Sequence, residues 1–519
     1  MLAAALAACG PEDLGTTPTG QEPHPATASP DAARPDAARP AAAATSDAGR
    51  TSDDAAAPDD AATFDASAPD ERAADAALGP TDGSALEGWS AQPQGPAAQP
   101  RVACEHSWAA TPFYDLRTSH ADPLLLTSDA DDNLFVAGYL DKEVDFGTGV
   151  LRPPLTQLEK TPRRSTFLLK IDRACNLVWA KALDPASDKT GRWPLALGLD
   201  GEGNVALVTN SMRYTYASRF IFITENQFDF LVLGPDGAVR TEKSHPSSSG
   251  ATAQVSKHGQ VMLTTPLGSD GTWTLGDVTV RGAFKQWSNA SFRADGTFLR
   301  SETFAIAPDQ STINQTLGPH GEVVTDVGGG ADYYGQATSD VSLIKLAPDG
   351  HLQWAEPVQR ATPDDAFYRM LAVAEDGALD VFQSKSQEPT YDVPTIKSFQ
   401  ERAPDGTLRW EVPVTAARPD AFALSSLTSS NASLAALIVL YANTTIGNVE
   451  LTSAESADDR YLVVQIARGG AVRWAARIGA TEEVRAITTT PSDEVAVMGI
   501  AGPNGALDAQ KIFVRKYTH

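Results

Sequence analysis

PLLLTSDADDNLFVAGYL (Pro123 to Leu140), followed after a variable stretch by TFLLKIDRACNLVWAKAL (Thr166 to Leu183), holds four short runs rich in Val, Leu, Phe and Trp. Turn residues separate the runs at a spacing that suits β-strands and is too short for helices. The second half returns as FDFLVLGPDGAVRTEKS (Phe228 to Ser244), ASFRADGTFLRSETF (Ala290 to Phe304), VSLIKLAPDGHLQWAEPV (Val341 to Val358), KSFQERAPDGTLRWEVPV (Lys397 to Val414) and LVVQIARGGAVRWAARIG (Leu462 to Gly479). Its Asp-Gly or Gly-Gly pair supplies the positive φ that a tight hairpin demands. The first half returns as well, for example as LALGLDGEGNVALVTN (Leu195 to Asn210) and AITTTPSDEVAVMGI (Ala486 to Ile500). Aligned on Ala174, Asp236, Asp295, Asp349, Asp405 and Gly469, successive units lie 62, 59, 54, 56 and 64 residues apart. A period near 60 with four strands per unit predicts propeller blades, because a small antiparallel sheet buries both faces only between two neighbours.

The ends of the repeat region complete one another. The last unit stops at KIFVRKYTH, where Lys516-Tyr517-Thr518-His519 matches Lys170-Ile171-Asp172-Arg173. The region opens with Ala103-Cys104-Glu105-His106-Ser107-Trp108, which matches Ala174-Cys175-Asn176-Leu177-Val178-Trp179. Six whole units and one composite unit predict an all-β, seven-bladed β-propeller over 103–519, closed by the N-terminal strand, which removes a free sheet edge.

The 519 residues carry a formal charge of −25 and three cysteines. Residues 1–100 hold 31 alanines, 13 prolines, 16 acidic residues and four arginines, a net charge of −12, and the rest of the chain carries −13. Few side chains there can form a core and repeated Pro interrupts any helix, so 10–102 reads as a disordered, extended linker kept swollen by its aspartates. The acidity excludes nucleic acid as a partner, since neutralising phosphates needs a basic face. No apolar stretch is long enough to span a bilayer, which leaves a lipid anchor as the route to a membrane.

Leu6-Ala7-Ala8-Cys9 resembles a bacterial lipobox, in which a signal peptidase cuts before a cysteine that then carries lipid. It lacks a positive n-region, and its apolar run is very short, as a start codon assigned downstream of the true one would produce. The resemblance implies that 1–9 is a signal remnant, with Cys9 lipidated. Gly10 in place of Asp after the cysteine implies the outer membrane, with the protein facing the periplasm or the cell surface.

The Asp200-Gly201-Glu202-Gly203-Asn204-Val205 turn, the Val144-Asp145-Phe146-Gly147-Thr148-Gly149 patch, the Phe167 to Asp172 run and the later Trp are similar to the bacterial seven-bladed propeller repeats of the SBBP type, common in secreted proteins and lipoproteins. The resemblance implies a shape and an extracytoplasmic setting, and no chemistry. Blades two and three place Thr241 and Arg300 where Trp179, Trp354, Trp410, Trp474 and Trp108 stand elsewhere, and looser packing is expected there.

Other motifs have structural readings. Asp145-Phe146-Gly147 spells a kinase DFG, but no H-R-D or Gly-rich loop accompanies it. Thr274-Leu275-Gly276 and Thr445-Ile446-Gly447 occupy the same place in other units, so a blade turn is expected. Asp129-Ala130-Asp131-Asp132-Asn133 spaces oxygens like the start of a calcium loop, with Leu134 and Leu140 where its Gly and Glu belong. His258 and His320 fall in the same turn of successive units, no zinc-type ligand set is present, and no metal or cofactor is expected. Parity favours a Cys104–Cys175 disulfide in an exported protein. The repeat alignment opposes it, because equivalent rim positions in adjacent blades diverge beyond the ~7 Å Cα limit.

Propellers present loops at the mouths of a central channel, and loops carry function. The leading expectation is a monomeric binding or scaffold module for a protein or a glycan. Lys160, Arg163 and Arg164 in the Asp141 to Ser165 insertion form a cationic spot. Tyr214 and Tyr216, with Tyr333 and Tyr334, suit stacking on sugars. An enzyme, quinoprotein-like or a hydrolase or lyase, is the alternative, since the D-G-x-(L/V)-x-W turns resemble those of pyrroloquinoline-quinone dehydrogenases; no catalytic residue can be assigned. The third reading is an outer-membrane assembly factor, whose family has shorter repeats.

Overall fold

The computed structural model describes residues 99–109, 125–140, 143–153, 165–184, 191–217, 220–283, 286–305, 314–327, 332–333, 336–337, 341–358, 366–386, 396–416, 418, 421–453, 461–479, 482–501 and 511–519. Among them every regular element is a strand, and no helix is long and apolar enough to cross a membrane. Seven antiparallel sheets follow one another round a ring. Blade 1 runs outward through Leu125–Ser128, Leu134–Leu140, Ser165–Ile171 and Leu177–Leu183. The first strands of blades 2 to 7 are Arg192–Leu199, Thr252–Val255, Asn314–Leu317, Ala366–Val373, Phe422–Ser429 and Glu482–Thr489. Each first strand touches the next, and that of blade 7 touches that of blade 1, so these strands line the centre.

The second strands explain why such apolar runs become strands buried on both faces. Leu134, Val136 and Leu140 point into the seam with blade 7, against Met498, Ile512 and Val514. Phe135 and Ala137 alternate with them and point into the seam with blade 2, against Leu207 and Leu231. A period of two with both faces covered reads as an unbroken apolar run. The Asp-x-x-x-Asn turns are locked by their own side chains. The Asp129 carboxylate accepts hydrogen bonds from the Asp131 and Asn133 backbone and the Asn133 amide, and Asp200 does the same with Glu202 and Asn204. That repetition makes the Asp129 cluster a turn device.

The Asp145-Phe146-Gly147 patch is also structural. It sits on a hairpin, Val144–Asp145 with Val150–Leu151, whose buried Phe146 meets Trp108 edge-on at 5.9 Å. The equivalent hairpins of blades 3 and 6 bury Leu275 and Ile446 and pair with the outer strand of the preceding blade, Leu275 opposite Ser247 and Ile446 opposite Val414.

Arg101–Ala109 completes blade 7, as expected, by pairing with Lys511–Thr518 from Arg101 opposite Thr518 to Ala109 opposite Lys511. The matching of its residues to the repeat is corrected. In every blade the third and outer strands slip register by one residue near their turn, and the first outer-strand residue beyond the slip is Trp179, Thr241, Arg300, Trp354, Trp410, Trp474 and, in blade 7, Cys104. Cys104 therefore holds the position of Trp179, and Trp108 lies four residues farther along, opposite Ile512.

This shift overturns the geometric objection to the disulfide. Elsewhere the Trp of one blade lies on the turn glycine of the next, Trp179 against Gly237 and Trp354 against Gly406, and donates through Nε1 to the carbonyl of Pro235 or Pro404. Cys175 occupies the glycine position of blade 1, with a φ of 64°. Cys104 meets it there with a Cα–Cα separation of 5.8 Å, and the two are joined. Its sulfur also faces the Arg173 carbonyl at 3.8 Å, as the indoles face theirs. The two cysteines are thus not equivalent rim positions. They are the two halves of one seam contact.

Candidate functional site

Two concavities stand out on the ring. The first is at the centre, where all seven first strands end around a cavity of about 350 Å³. Blades 1, 3, 6 and 7 bring polar groups to the channel, among them Ser128, Ser256, Ser430, Asn431, Thr489 and Thr490, while Leu199, Leu317 and Val373 line it from blades 2, 4 and 5. Lys257 of blade 3 and Glu375 of blade 5 form an ion pair across the intervening blade. Ser128 donates to the Thr489 carbonyl at 3.1 Å, and Thr428 and Thr489 share a hydrogen bond at 3.4 Å, so some hydroxyls bind the rim together.

A buried ionic cluster holds the wall between blades 5 and 6. Arg468 reaches Asp380 and Glu401, each at 2.8 Å, the Ser429 hydroxyl at 2.8 Å and the Ser430 carbonyl. Asp380 has no exposed surface, and burial pushes its carboxyl up to about 7 against the attraction of Arg468. Burial also pushes Glu401 up, but hydrogen bonds from Arg468, Arg409 and Trp410 outweigh it and hold this carboxyl below its ordinary value. One guanidinium thus serves two carboxylates, and the less well solvated one surrenders its charge first. The cluster fixes Ser429 and Ser430 at the channel wall, and Ser430 further donates to Asp493 at 2.8 Å.

The second concavity lies over blades 2 to 4 on the turn face, where Thr241 replaces the seam indole. It encloses about 860 Å³. Val232, Thr241, Ala294 and Leu299 line it together with Asp200, Glu202, Asp295 and Asp349. At the Thr241 seam itself Phe230 and Lys243 cover the blade 3 turn glycine, Gly296, in the indole's place, and His245 faces the Gly296 carbonyl at 2.9 Å. At the Arg300 seam the guanidinium fills the indole's place, pairing with Glu302 at 2.6 Å and reaching the Ala347 carbonyl at 3.4 Å.

Of the residues singled out in the sequence, Cys9, Lys160, Arg163, Arg164 and Tyr334 lie outside the described residues. Tyr214 and Tyr216 stand on Val205–Ala217, opposite Ile223 and Ile221, and Tyr333 on Asp332–Tyr333. The channel hydroxyls were missed, although runs such as Thr428-Ser429-Ser430 and Thr488-Thr489-Thr490 at the ends of first strands signal them.

No family model and no curated protein matches the chain. Among solved structures it is similar to a protein of unknown function from Dyadobacter fermentans, at 9% identity over 80% of this chain and 98% of that one, with a TM-score of 0.37. It is also similar to the intramolecular trans-sialidase of Ruminococcus gnavus, at 9% identity over 78% of this chain and 96% of that one, with a TM-score of 0.32. A protein of unknown function from Bacteroides caccae matches at 11% identity over 60% of this chain and 90% of that one, with a TM-score of 0.30.

Proposed function

We propose that the chain is a lipid-anchored binding module of the bacterial cell envelope, held at the outer membrane through Cys9, whose propeller takes a glycan at the mouth of its channel. The observation that carries this reading is the channel mouth itself. Strand ends of blades 1, 3, 6 and 7 bring hydroxyls and the Asn431 amide, groups of both hydrogen-bonding senses, to one cavity, with a cation and an anion at its lip. Sugars present alternating donors and acceptors, and a concave site with a few placed polar groups is the usual way to bind a small polar ligand. The Cys104–Cys175 bond supports an oxidising compartment.

A glycan array probed with the full chain tests the ligand. Retention of a glycan that Asn431→Ala and Lys257→Ala each weaken about tenfold supports the reading. No retained glycan, or retention indifferent to both changes, refutes it. Fatty-acid labelling tests the anchor separately, and a Cys9→Ser protein that still incorporates label refutes that part.

A further inference from the structure

The channel mouth and the trough over blades 2 to 4 are neighbours on one face of the ring. Leu199 lines the first and Asp200 the second; Lys257 lines the first and His258 the second. Consecutive Cα atoms lie about 3.8 Å apart, so a single residue step divides the two concavities on blade 2 and again on blade 3. Blade 4 adds Pro319, which lines the channel, and beside it His320. His258 and His320 are both exposed and stack between the blades, with ring centroids 4.8 Å apart and planes 13° from parallel. The divide between channel and trough is thus topped by two flat rings on neighbouring turns.

The trough itself is amphipathic. Val232, Ala294 and Leu299 give it apolar surface. Its aspartates are set by their own turns. Asp200 accepts from the Glu202 and Asn204 amides at 2.9 and 2.8 Å, Asp295 from the Thr297 amide at 2.9 Å, and Asp349 from the His351 amide at 3.1 Å. An ionised carboxylate has about four lone-pair sites, so each keeps acceptor capacity for a ligand. With Glu202, four carboxylates face the trough against the guanidiniums of Arg240 and Arg293. Hydroxyl and ammonium groups satisfy fixed acceptors of this kind, whereas an acidic sugar meets like charge. A sugar chain offers both halves of the match, an apolar ring face and an edge of donors.

We propose that the glycan of the channel mouth is an oligosaccharide bearing amino groups, whose end unit enters the channel and whose following units cross the His258–His320 step into the trough. This rests on the channel-mouth reading and adds to it the length and charge of the ligand. A chain that occupies both concavities makes its second contact intramolecularly, so affinity rises with length without any change at the channel.

The test titrates the full-length chain by calorimetry with glucosamine and with chitosan hexaose. The hexaose should bind at least about tenfold more tightly than the monomer. Glu202→Gln combined with Asp349→Asn, both at exposed positions, should remove most of that gain and leave glucosamine binding unchanged. Asn431→Ala should weaken both sugars, because both enter the channel. Thermal melts show that the variants are folded. Equal binding of the two sugars, each weakened by Asn431→Ala, would overturn the extension into the trough and leave the channel reading standing. A length gain untouched by the Glu202 and Asp349 changes, or equal binding of hexagalacturonate, would overturn the part given to the trough. Hexaose binding indifferent to Asn431→Ala would place the glycan wholly outside the channel and overturn the continuity of the site. Failure of both sugars to bind overturns the amino-sugar proposal, and the glycan array then judges the channel reading on its own.

Discussion

Reduction of the Cys104–Cys175 bond should lower the melting temperature of the ring without opening it. The bond joins residues 71 apart in sequence. Closing a loop of that length removes unfolded-chain entropy worth about 4 kcal/mol at room temperature. Unfolding entropy of roughly 2.1 cal/mol/K per residue, over a ring of about 420 residues, converts this to a drop of about 5 °C. The ring stays closed because the same strand is held independently to blade 7 by its ladder with Lys511–Thr518 and by the Arg515 fork on Glu105, at 2.9 and 3.0 Å. Near-UV circular dichroism melts with and without a phosphine reductant measure the shift. The seam equivalence adds a sharper test. If Cys104 and Cys175 stand in Trp and Gly positions, Cys104→Trp combined with Cys175→Gly rebuilds the contact of the other seams. That pair should melt above Cys104→Ala combined with Cys175→Ala under every redox condition. Coincident oxidised and reduced melts, or a rebuilt seam no better than the alanine pair, would refute the reasoning.

The same contact can be probed where it is intact. Trp354→Ala removes an indole packed on Gly406 together with its 2.8 Å hydrogen bond to Pro404; it should cost about 3 kcal/mol in chemical denaturation. Gly406→Ala attacks the other half, since a Cβ there stands 2.9 Å from the indole on a backbone of φ 90°, and should cost about 1–3 kcal/mol. Asp380 sets a pH dependence of the opposite sign to an ordinary salt-bridged carboxylate. Its folded value of about 7 lies above the unfolded 3.8, so the folded state holds the proton more tightly between them, and stability is highest below that window and falls as pH rises through it. Urea midpoints across the window should decline with pH, and Asp380→Asn should flatten the decline.

The repeat was legible because turn glycines and apolar runs are required in every blade. The Asp-Gly pairs fix a hairpin with positive φ, and runs such as Leu434 to Leu440, buried nearly throughout, are dictated by two covering neighbours. Closure by the N-terminal strand was legible from the matching chain ends, yet its register was misread by four residues. Blade 7 carries Cys104 in the anchor position and its turn is divided between the two chain ends, so Trp108 was the only indole left to align on. Aligning a tryptophan on a tryptophan turned a disulfide between complementary positions into an apparent clash of equivalent ones. The channel mouth was illegible for a different reason. Its serines and threonines come from blades 1, 3, 6 and 7, are residues equally at home in any turn, and are brought together only by the ring's closure.

The Thr241 seam shows how the ring closes a contact without an indole. Thr241 sits where the repeat elsewhere places a tryptophan, but the turn of blade 3 is covered by other side chains: Phe230 and Lys243 lie over Gly296, and His245 faces the Gly296 carbonyl at 2.9 Å. Phe230 in turn packs on His245 and on Phe292, with ring centroids 5.4 and 4.9 Å away. Thr241→Trp should therefore leave the melting temperature unchanged or lower it, because the indole would have to displace groups already in place. Phe230→Ala, which empties the seam, should cost about 3 kcal/mol in chemical denaturation. A rise in the melting temperature of Thr241→Trp would show instead that the seam still has room for an indole, and would refute the assignment of its place to Phe230, Lys243 and His245.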